Sequence, residues 1–197
     1  MKRRDALKIL TAAPAAAAFT WTAEEATAAA QQAQQARAQA AAEKTVFKPR
    51  FFTAHEYATV VMLADMIIPR DGRSGSASDA GAPEFIDYIV AAQPERQTAM
   101  RGGLGWLDNE CRKRFDKTFV AAANADRRKV LDDIAWPKRA TPAFSQGVRF
   151  FTTMRDLVAT GFWSSKIGVA DLGYLGNRPA AWTGAPEAVL ERIGVKY

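Results

Sequence analysis

The feature that most constrains this chain is residues 51–90, where two apolar helical patterns flank a polar loop. Thr53 and Glu56 predict a capping box, in which each side chain accepts a hydrogen bond from the other residue's backbone amide. Apolar residues then recur at helical spacing, namely Tyr57, Val60, Val61, Ala64, Ile67 and Ile68. Pro69 ends this helix because proline lacks an amide hydrogen and clashes with the preceding turn.

A second helix is predicted after the loop at residues 70–81, which is rich in Gly, Ser and Asp. Pro83 suits the first turn of a helix, and Glu84 beside it complements the positive end of the helix dipole. Its apolar residues are Phe85, Ile86, Ile89 and Val90. Two helices joined in this way form a hairpin that is too small to be stable alone, so the rest of the chain must cover it.

Three longer helices are predicted after this hairpin, each delimited by proline or glycine. The first begins at Pro94. The second extends from about Asn124 to Pro137. The third begins at Thr141 and ends at Gly161. Their apolar residues are Met100, Leu104, Leu107, Cys111 and Phe115 in the first, Val130, Leu131, Ile134 and Trp136 in the second, and Phe144, Val148, Phe151 and Val158 in the third.

No run of residues alternates between apolar and polar as a strand would. The sequence therefore predicts an all-α fold, a compact bundle of about five to six helices with a long irregular C-terminal tail. Three glycines, Gly102, Gly103 and Gly105, interrupt the helix that begins at Pro94, and each costs about 1 kcal/mol relative to alanine. They indicate either close approach of another helix or a break near residue 103.

The N-terminal 46 residues are predicted to lie outside the helical domain. Residues 1–28 have the character of a targeting peptide, with the paired Arg3 and Arg4 of a twin-arginine (Tat) export signal followed by a weakly apolar stretch. That stretch is too short to span a membrane. Residues 29–46 are rich in Ala and Gln and have little apolar surface to bury. They predict a linker, or a tail that becomes ordered only on a partner.

The helical domain is predicted to occupy residues 47–161, and the tail residues 162–197. Periodicity fails between Phe162 and Trp182, and a short helix is predicted after Pro186. Aromatic residues in an irregular segment indicate either a loop packed on its own domain or a surface that contacts another chain. The candidate partner interface consists of Trp163, Leu172, Tyr174, Leu175, Asn177 and Trp182.

The length of 197 residues predicts one domain with appended tails. The net charge is +6, but the basic clusters at residues 112–114 and 127–129 are interleaved with acidic residues. Mixed charges on a helix are typical of a solvated face, so nucleic-acid binding is not expected. One cysteine permits no disulfide within the chain, and its helical spacing places Cys111 in the core.

The sequence contains no recognisable catalytic, cofactor-binding or metal-binding set. The one histidine, His55, is predicted to be an exposed residue in the first turn of a helix. One histidine supports neither a zinc site nor a Ser-His-Asp triad, and no C-x-x-C-H haem motif is present. Asp132 and Asp133 diverge on a helix and cannot share a proton. Asp65 and Asp87 are expected to cap or to hold the loop at residues 70–81.

Several of these residues also follow the pattern of a known family. They are Thr53, Glu56, Ala64, Asp65, Ile67, Ile68, Pro69, Ala80, Gly81, Phe85, Ile86 and Asp87, with Gly176, Asn177, Trp182, Ala185 and Pro186 in the tail. In this order they resemble the gluconate 2-dehydrogenase subunit 3 family, over about residues 50–194. At Ala185 the chain departs from relatives that have cysteine or glycine.

This resemblance implies a small, non-catalytic subunit of a periplasmic FAD-dependent sugar dehydrogenase. In such complexes the flavin is bound by a large subunit of the glucose–methanol–choline (GMC) type, often together with a c-type cytochrome. The expected cofactor is therefore FAD in the partner and none in this chain. An export signal of the Tat type on a chain without a cofactor site agrees with a role in exporting and maturing that partner.

Two other functions are compatible with the sequence. A free-standing periplasmic enzyme with an unrecognised site would oxidise sugars without a second chain. A helical binding module for peptidoglycan or an anionic surface would bind in a salt-dependent manner and would have no stable protein partner.

Overall fold

The computed structural model describes residues 22–43, 47–173, 185 and 187–194. This part of the chain contains nine α-helices and no strand, which confirms the all-α prediction. The α-helices are α1 Ala23–Ala42, α2 Ala54–Ile67, α3 Ala77–Ala80, α4 Ala82–Ala92, α5 Pro94–Phe115, α6 Asn124–Ile134, α7 Ser145–Trp163, α8 Lys166–Leu172 and α9 Glu187–Ile193. A 3₁₀ turn at Pro142–Phe144 leads into α7.

The capping box of α2 is present as predicted. The Thr53 hydroxyl accepts a hydrogen bond from the Glu56 amide at 3.2 Å, and the Glu56 carboxylate accepts one from the Thr53 amide at 2.8 Å. The helix ends at Ile67, two residues before Pro69. The capping box therefore defines the start of α2, and Pro69 limits its end.

A short helix, α3, interrupts the loop that was predicted to be irregular. Ser76 caps it by accepting a hydrogen bond from the Asp79 amide, and Asp79 accepts from the Ser76 amide in return. Ser-x-x-Asp is the same kind of signal as the capping box of α2. The sequence therefore carried the information for α3, although only four residues separate the cap from Gly81.

Helices α4 and α7 form the centre of the bundle. Helix α7 packs against α1, α2, α3, α4, α5, α6 and α8, and α4 packs against α1, α2, α3, α5 and α7. The largest fully buried side chains come from five helices and the segment between α5 and α6, and they are Val60, Leu63, Phe85, Ile86, Val90, Leu107, Phe119, Val130, Ile134, Met154, Leu157 and Phe162. Burying side chains of this size supplies the main stabilising free energy of the fold.

Helix α5 is continuous through its three glycines, so the alternative of a break near residue 103 is wrong and close approach is confirmed. A Cβ atom on Gly103 would lie 1.9 Å from the Phe150 ring of α7. Gly102 and Gly105 have no atom within 4 Å of the corresponding position. Of the three glycines in α5, Gly103 is therefore the one that close packing requires.

The N-terminal Ala/Gln segment differs from its predicted character as a linker without surface to bury. Helix α1 packs against α4 and α7, and Ala29, Ala30 and Ala33 are buried in the core. Small side chains allow this helix to approach closely, which a count of large apolar residues does not reveal. Helix α1 also includes residues 23–28 of the predicted signal peptide.

The predicted start of the tail is also helical. Helix α7 continues past Gly161 to Trp163, and α8 follows after two residues, so the expected loss of regular structure from Phe162 is wrong as far as Leu172. Trp136, which was assigned to the apolar side of α6, lies beyond the end of that helix and is 62% exposed.

Candidate partner-binding surface

Two of the predicted interface residues lie at the ends of consecutive helices. Trp163 is the last residue of α7 and Leu172 the last residue of α8, and their exposed fractions are 39% and 59%. Val169, which was not predicted, lies on α8 between them in sequence and is 38% exposed. We refer to Trp163, Val169 and Leu172 as the α8 surface.

A tight turn fixes the position of the α8 surface. The Ser165 hydroxyl donates to the Phe162 carbonyl at 2.7 Å and accepts from the Gly168 amide at 3.0 Å, which caps α8. A Cβ atom on Gly168 would lie 2.1 Å from the Phe162 carbonyl oxygen, so a larger residue would force the two helices apart. The exposed apolar side chains therefore lie on either side of a closely packed, hydrogen-bonded turn between α7 and α8.

The Trp163 indole is supported by a buried ring. Phe162 is 1% exposed, and its ring packs edge-to-face against Trp163 with centroids 4.9 Å apart and an angle of 89°. At the other end of α8, Arg73 forms an ion pair with Asp171 at 3.3 Å and donates to its carbonyl at 2.9 Å. These contacts connect α8 to the loop before α3.

The remaining predicted interface residues lie outside the described residues. They are Tyr174, Leu175, Asn177 and Trp182, and the same applies to Arg3 and Arg4 of the predicted export signal. The structure therefore places the first two of the six interface residues and leaves the other four, with the signal, as predictions.

A second exposed aromatic residue was missed by the sequence analysis. Trp136 begins a turn in which the Arg139 and Ala140 amides donate to its carbonyl at 2.8 and 3.0 Å. The Arg139 guanidinium lies 5.9 Å from the centre of the indole. The available signal was Pro137, which ends α6 and so removes Trp136 from its apolar stripe. The two tryptophans flank opposite ends of α7, whose 19 residues span about 28 Å.

Asp65 and Asp87 both accept hydrogen bonds from backbone amides and so hold backbone segments in place. Asp65 accepts from the Ser78 amide at 2.8 Å and from its hydroxyl at 2.7 Å, which confirms that it holds the loop before α4. Asp87 instead accepts from the amides of residues 50–52, at the segment that leads into α2. Its predicted role was therefore correct in kind, but the segment it holds is different.

His55 is exposed, as predicted, but it has a partner. Its Nε2 atom lies 2.6 Å from the Asp108 carboxylate, which also accepts from the Phe119 amide at 2.9 Å. Asp108 is thus an acceptor shared between α2 and the segment after α5.

Cys111 is fully buried, as predicted, and its environment makes it a probe of folding. Desolvation, with a contribution from the Asp108 charge, raises the pKa of this thiol to about 11. The raised pKa alone lowers the thiolate fraction about a hundredfold at neutral pH. We expect iodoacetamide to modify the native protein at least that much more slowly than the urea-unfolded chain, measured by mass. Equal rates in the two states would contradict the buried position.

No group of His, Cys, Asp and Glu in the described ranges is arranged to hold a metal ion. A groove of about 580 Å³ between α5 and α7 is lined by Met100, Gly103 and Phe150, with Glu95 and Arg149 among its charged residues. Within residues 22–43, 47–173 and 187–194, none of the helices combines the length and the apolar character needed to cross a bilayer.

Comparison with known proteins identifies one family. Residues 54–184, about two thirds of the chain, match the family described as Gluconate 2-dehydrogenase subunit 3. No curated protein and no solved structure gives a significant match. The matched region begins at Ala54, the first residue of α2, and extends through α8, so it contains helices α2 to α8 and the α8 surface but not α1. The chain belongs to the gluconate 2-dehydrogenase subunit 3 family.

Proposed function

We propose that this protein is a non-catalytic small subunit of a periplasmic FAD-dependent dehydrogenase complex that oxidises sugars. The observation that carries the proposal is family membership over residues 54–184, from α2 through α8, because the family is described as a subunit of gluconate 2-dehydrogenase. The flavin is bound by a large subunit of the GMC type. This chain supports the export, maturation and stability of that subunit, and a c-type cytochrome completes the assembly in some complexes.

The α8 surface is the proposed contact with the large subunit. Aromatic residues dominate binding energy at protein interfaces when they are centrally placed and surrounded by other apolar groups. Trp163 is suited to such a role because its ring packs against the buried Phe162 ring and Ser165 caps the helix that follows. A rigid anchor loses little conformational entropy on binding. Tyr174, Leu175, Asn177 and Trp182 extend this interface along the chain.

The N-terminal residues give the proposed route of export. Arg3 and Arg4, followed by a weakly apolar stretch, form a signal for the Tat translocase, which carries folded proteins. A folded route suits a complex whose cofactor is inserted before export. The location of the mature complex would then be the periplasm, with this chain supplying the signal for both subunits.

The first experiment is a pull-down of the C-terminally tagged chain from the periplasm of its native cell. We expect a second chain of flavoprotein size, identified by mass, and an eluate with the absorption spectrum of FAD. A colourless monomer would overturn the proposal. Turnover of a sugar and an electron acceptor by the isolated chain would favour the free-standing enzyme instead.

The interface is tested by one pair of substitutions. We expect Trp163→Ala to weaken binding of the large subunit by about thirtyfold, because truncating a central interface aromatic costs about 2 kcal/mol. Trp136→Ala is the matched control, since it removes an exposed tryptophan at the opposite end of α7 and should leave binding unchanged. Dissociation constants from surface plasmon resonance would measure both. The reverse result would move the interface to the Trp136 turn.

A further inference from the structure

The N-terminal helix α1 is fastened to the bundle by one arginine. Arg37 Nε lies 3.4 Å from the Glu84 carboxylate, at the start of α4, and Arg37 Nη1 donates to the Asp79 carbonyl of α3 at 2.8 Å. The Glu84 side chain is only 11% exposed, so this ion pair is partly removed from water. We refer to Asp79, Gly81 and Glu84 as the Arg37 acceptor.

The Arg37 acceptor exists only when the junction between α3 and α4 is folded. Gly81 links the two helices with φ of 85°, a conformation that L residues with a side chain rarely adopt. A Cβ atom on Gly81 would lie 3.0 Å from Arg37 Nη1, so glycine also leaves room for the guanidinium. The carbonyl of Asp79 and the carboxylate of Glu84 converge on Arg37 only with this turn in place.

The positive charge of Arg37 stabilises the ionised form of the Glu84 carboxyl group. Burial raises the pKa of its carboxyl group, Arg37 lowers that pKa, and the nearby charge of Asp87 raises it further. The Tyr57 hydroxyl faces the same carboxyl group. One carboxylate oxygen, Oε2, is buried and has no hydrogen-bond partner among the described residues. Removal of Arg37 would leave a buried carboxylate without the cation that offsets its desolvation.

The fully buried side chains that the structure describes in α1 are all small. Ala29, Ala30 and Ala33 are the buried residues near its middle, whereas the Gln31, Gln32 and Gln35 side chains are exposed. Three alanines bury little apolar area, so their contribution to docking is modest. Arg37 adds a charged contact, one that depends on the α3–α4 junction, to this packing.

We propose that α1 is a strap, fastened by Arg37 to its acceptor, which attaches the N-terminal segment to the domain only when the α3–α4 junction is folded. The strap therefore attaches the start of α1, the segment that follows the proposed export signal, to a folded domain and not to an unfolded one. This role in export rests on the proposed function, whereas the fastening itself does not.

Limited proteolysis tests the fastening directly. Arg37 is the only Lys or Arg between Lys8 and Lys44, so trypsin cleavage after it reports on α1 alone. The full-length purified chain is digested briefly and the peptides are identified by mass. We expect slow cleavage after Arg37 in the native protein, because a protease requires a locally unfolded segment.

Two substitutions should release the strap without altering the fold of the domain. Glu84→Gln removes the acceptor charge, and Ala33→Glu places a carboxylate on the buried face of α1. We expect each to raise cleavage after Arg37 by about tenfold or more, since charge-assisted contacts and buried charges are worth at least that factor. Gln35→Glu, which adds the same charge on the exposed face, is the matched control and should cleave at the wild-type rate.

Cleavage after Arg114 and Arg127 in the same digests separates release of the strap from unfolding of the domain. Both residues lie in partly buried contacts and should be cut no faster in the two variants. Wild-type cleavage after Arg37 as fast as in the urea-unfolded chain would overturn the proposal, and so would Ala33→Glu or Glu84→Gln at the wild-type rate. The digest needs no partner, so a protected Arg37 with a failed pull-down would reject only the proposed function.

Discussion

Gly103→Ala is expected to lower the free energy of unfolding by about 3 kcal/mol, the upper end of the range for overpacked cores. The new methyl carbon would lie 1.9 Å from Phe150 Cδ2, 2.2 Å from Cγ and 2.7 Å from Cβ. The last of these atoms is fixed to the α7 backbone, so a rotation of the ring alone does not relieve the overlap. Phe150 is itself buried, and α5 and α7 would have to separate.

The same helix provides the control for this substitution. Gly102→Ala and Gly105→Ala place a methyl group where no atom lies within 4 Å. Both should raise the free energy of unfolding by up to about 1 kcal/mol, because alanine has the higher helix propensity. Urea denaturation followed by circular dichroism measures all three variants. If Gly103→Ala were as stable as Gly102→Ala, the close packing of α5 on α7 would be wrong.

The parts of this fold that were predictable from sequence are those specified by neighbouring residues. Thr53 and Glu56 define the start of α2, Pro69 follows its end, and Pro94 opens α5. In each case the physical cause lies within one turn of helix. The all-α class follows from the same local periodicity, which is why it could be read without knowing any long-range contact.

The predictions that were wrong or undecided concern residues whose environment is set by distant parts of the chain. Helix α1 was taken for a linker because alanine contributes little to an apolar pattern, yet the groove beside α4 accepts alanines and Arg37. The alternatives at Gly103 could not be separated because Phe150 is 47 positions away. Helix α8 was missed since its register depends on Ser165 and on close contact with the end of α7.

The α8 surface was predictable only in part, because part of it depends on how the chain folds after Trp163. Trp163 and Leu172 are exposed, and composition alone indicated that aromatic residues in this segment need an explanation. That Val169 joins them depends on α8 being helical, which the glycine-rich sequence obscured. Trp136 was misplaced because a two-residue overrun of α6 was enough to assign an exposed ring to the core.

Asp87→Asn is the second substitution expected to have a large effect, a loss of about 3 kcal/mol in the free energy of unfolding. Asp87 is 1% exposed and accepts hydrogen bonds from the amides of Arg50, Phe51 and Phe52, at 2.7, 3.0 and 3.2 Å. An asparagine has one acceptor oxygen, and its NH₂ group would face backbone donors. At least one of these three amides would then lose its partner, and the charge-assisted character of the remaining hydrogen bonds would be lost.

Asp156→Asn is the matched control, because the Asp156 side chain is 39% exposed and, among the residues that the structure describes, pairs with the adjacent Arg155 alone, at 3.4 Å. It should change the free energy of unfolding by less than about 1 kcal/mol. Thermal and urea denaturation of both variants distinguish the two sites. Because Asp87 holds the segment immediately before the α2 cap, we also expect faster exchange of the amide hydrogens of residues 50–52 in Asp87→Asn. Unchanged stability together with unchanged exchange would show that the three backbone amides do not depend on this carboxylate.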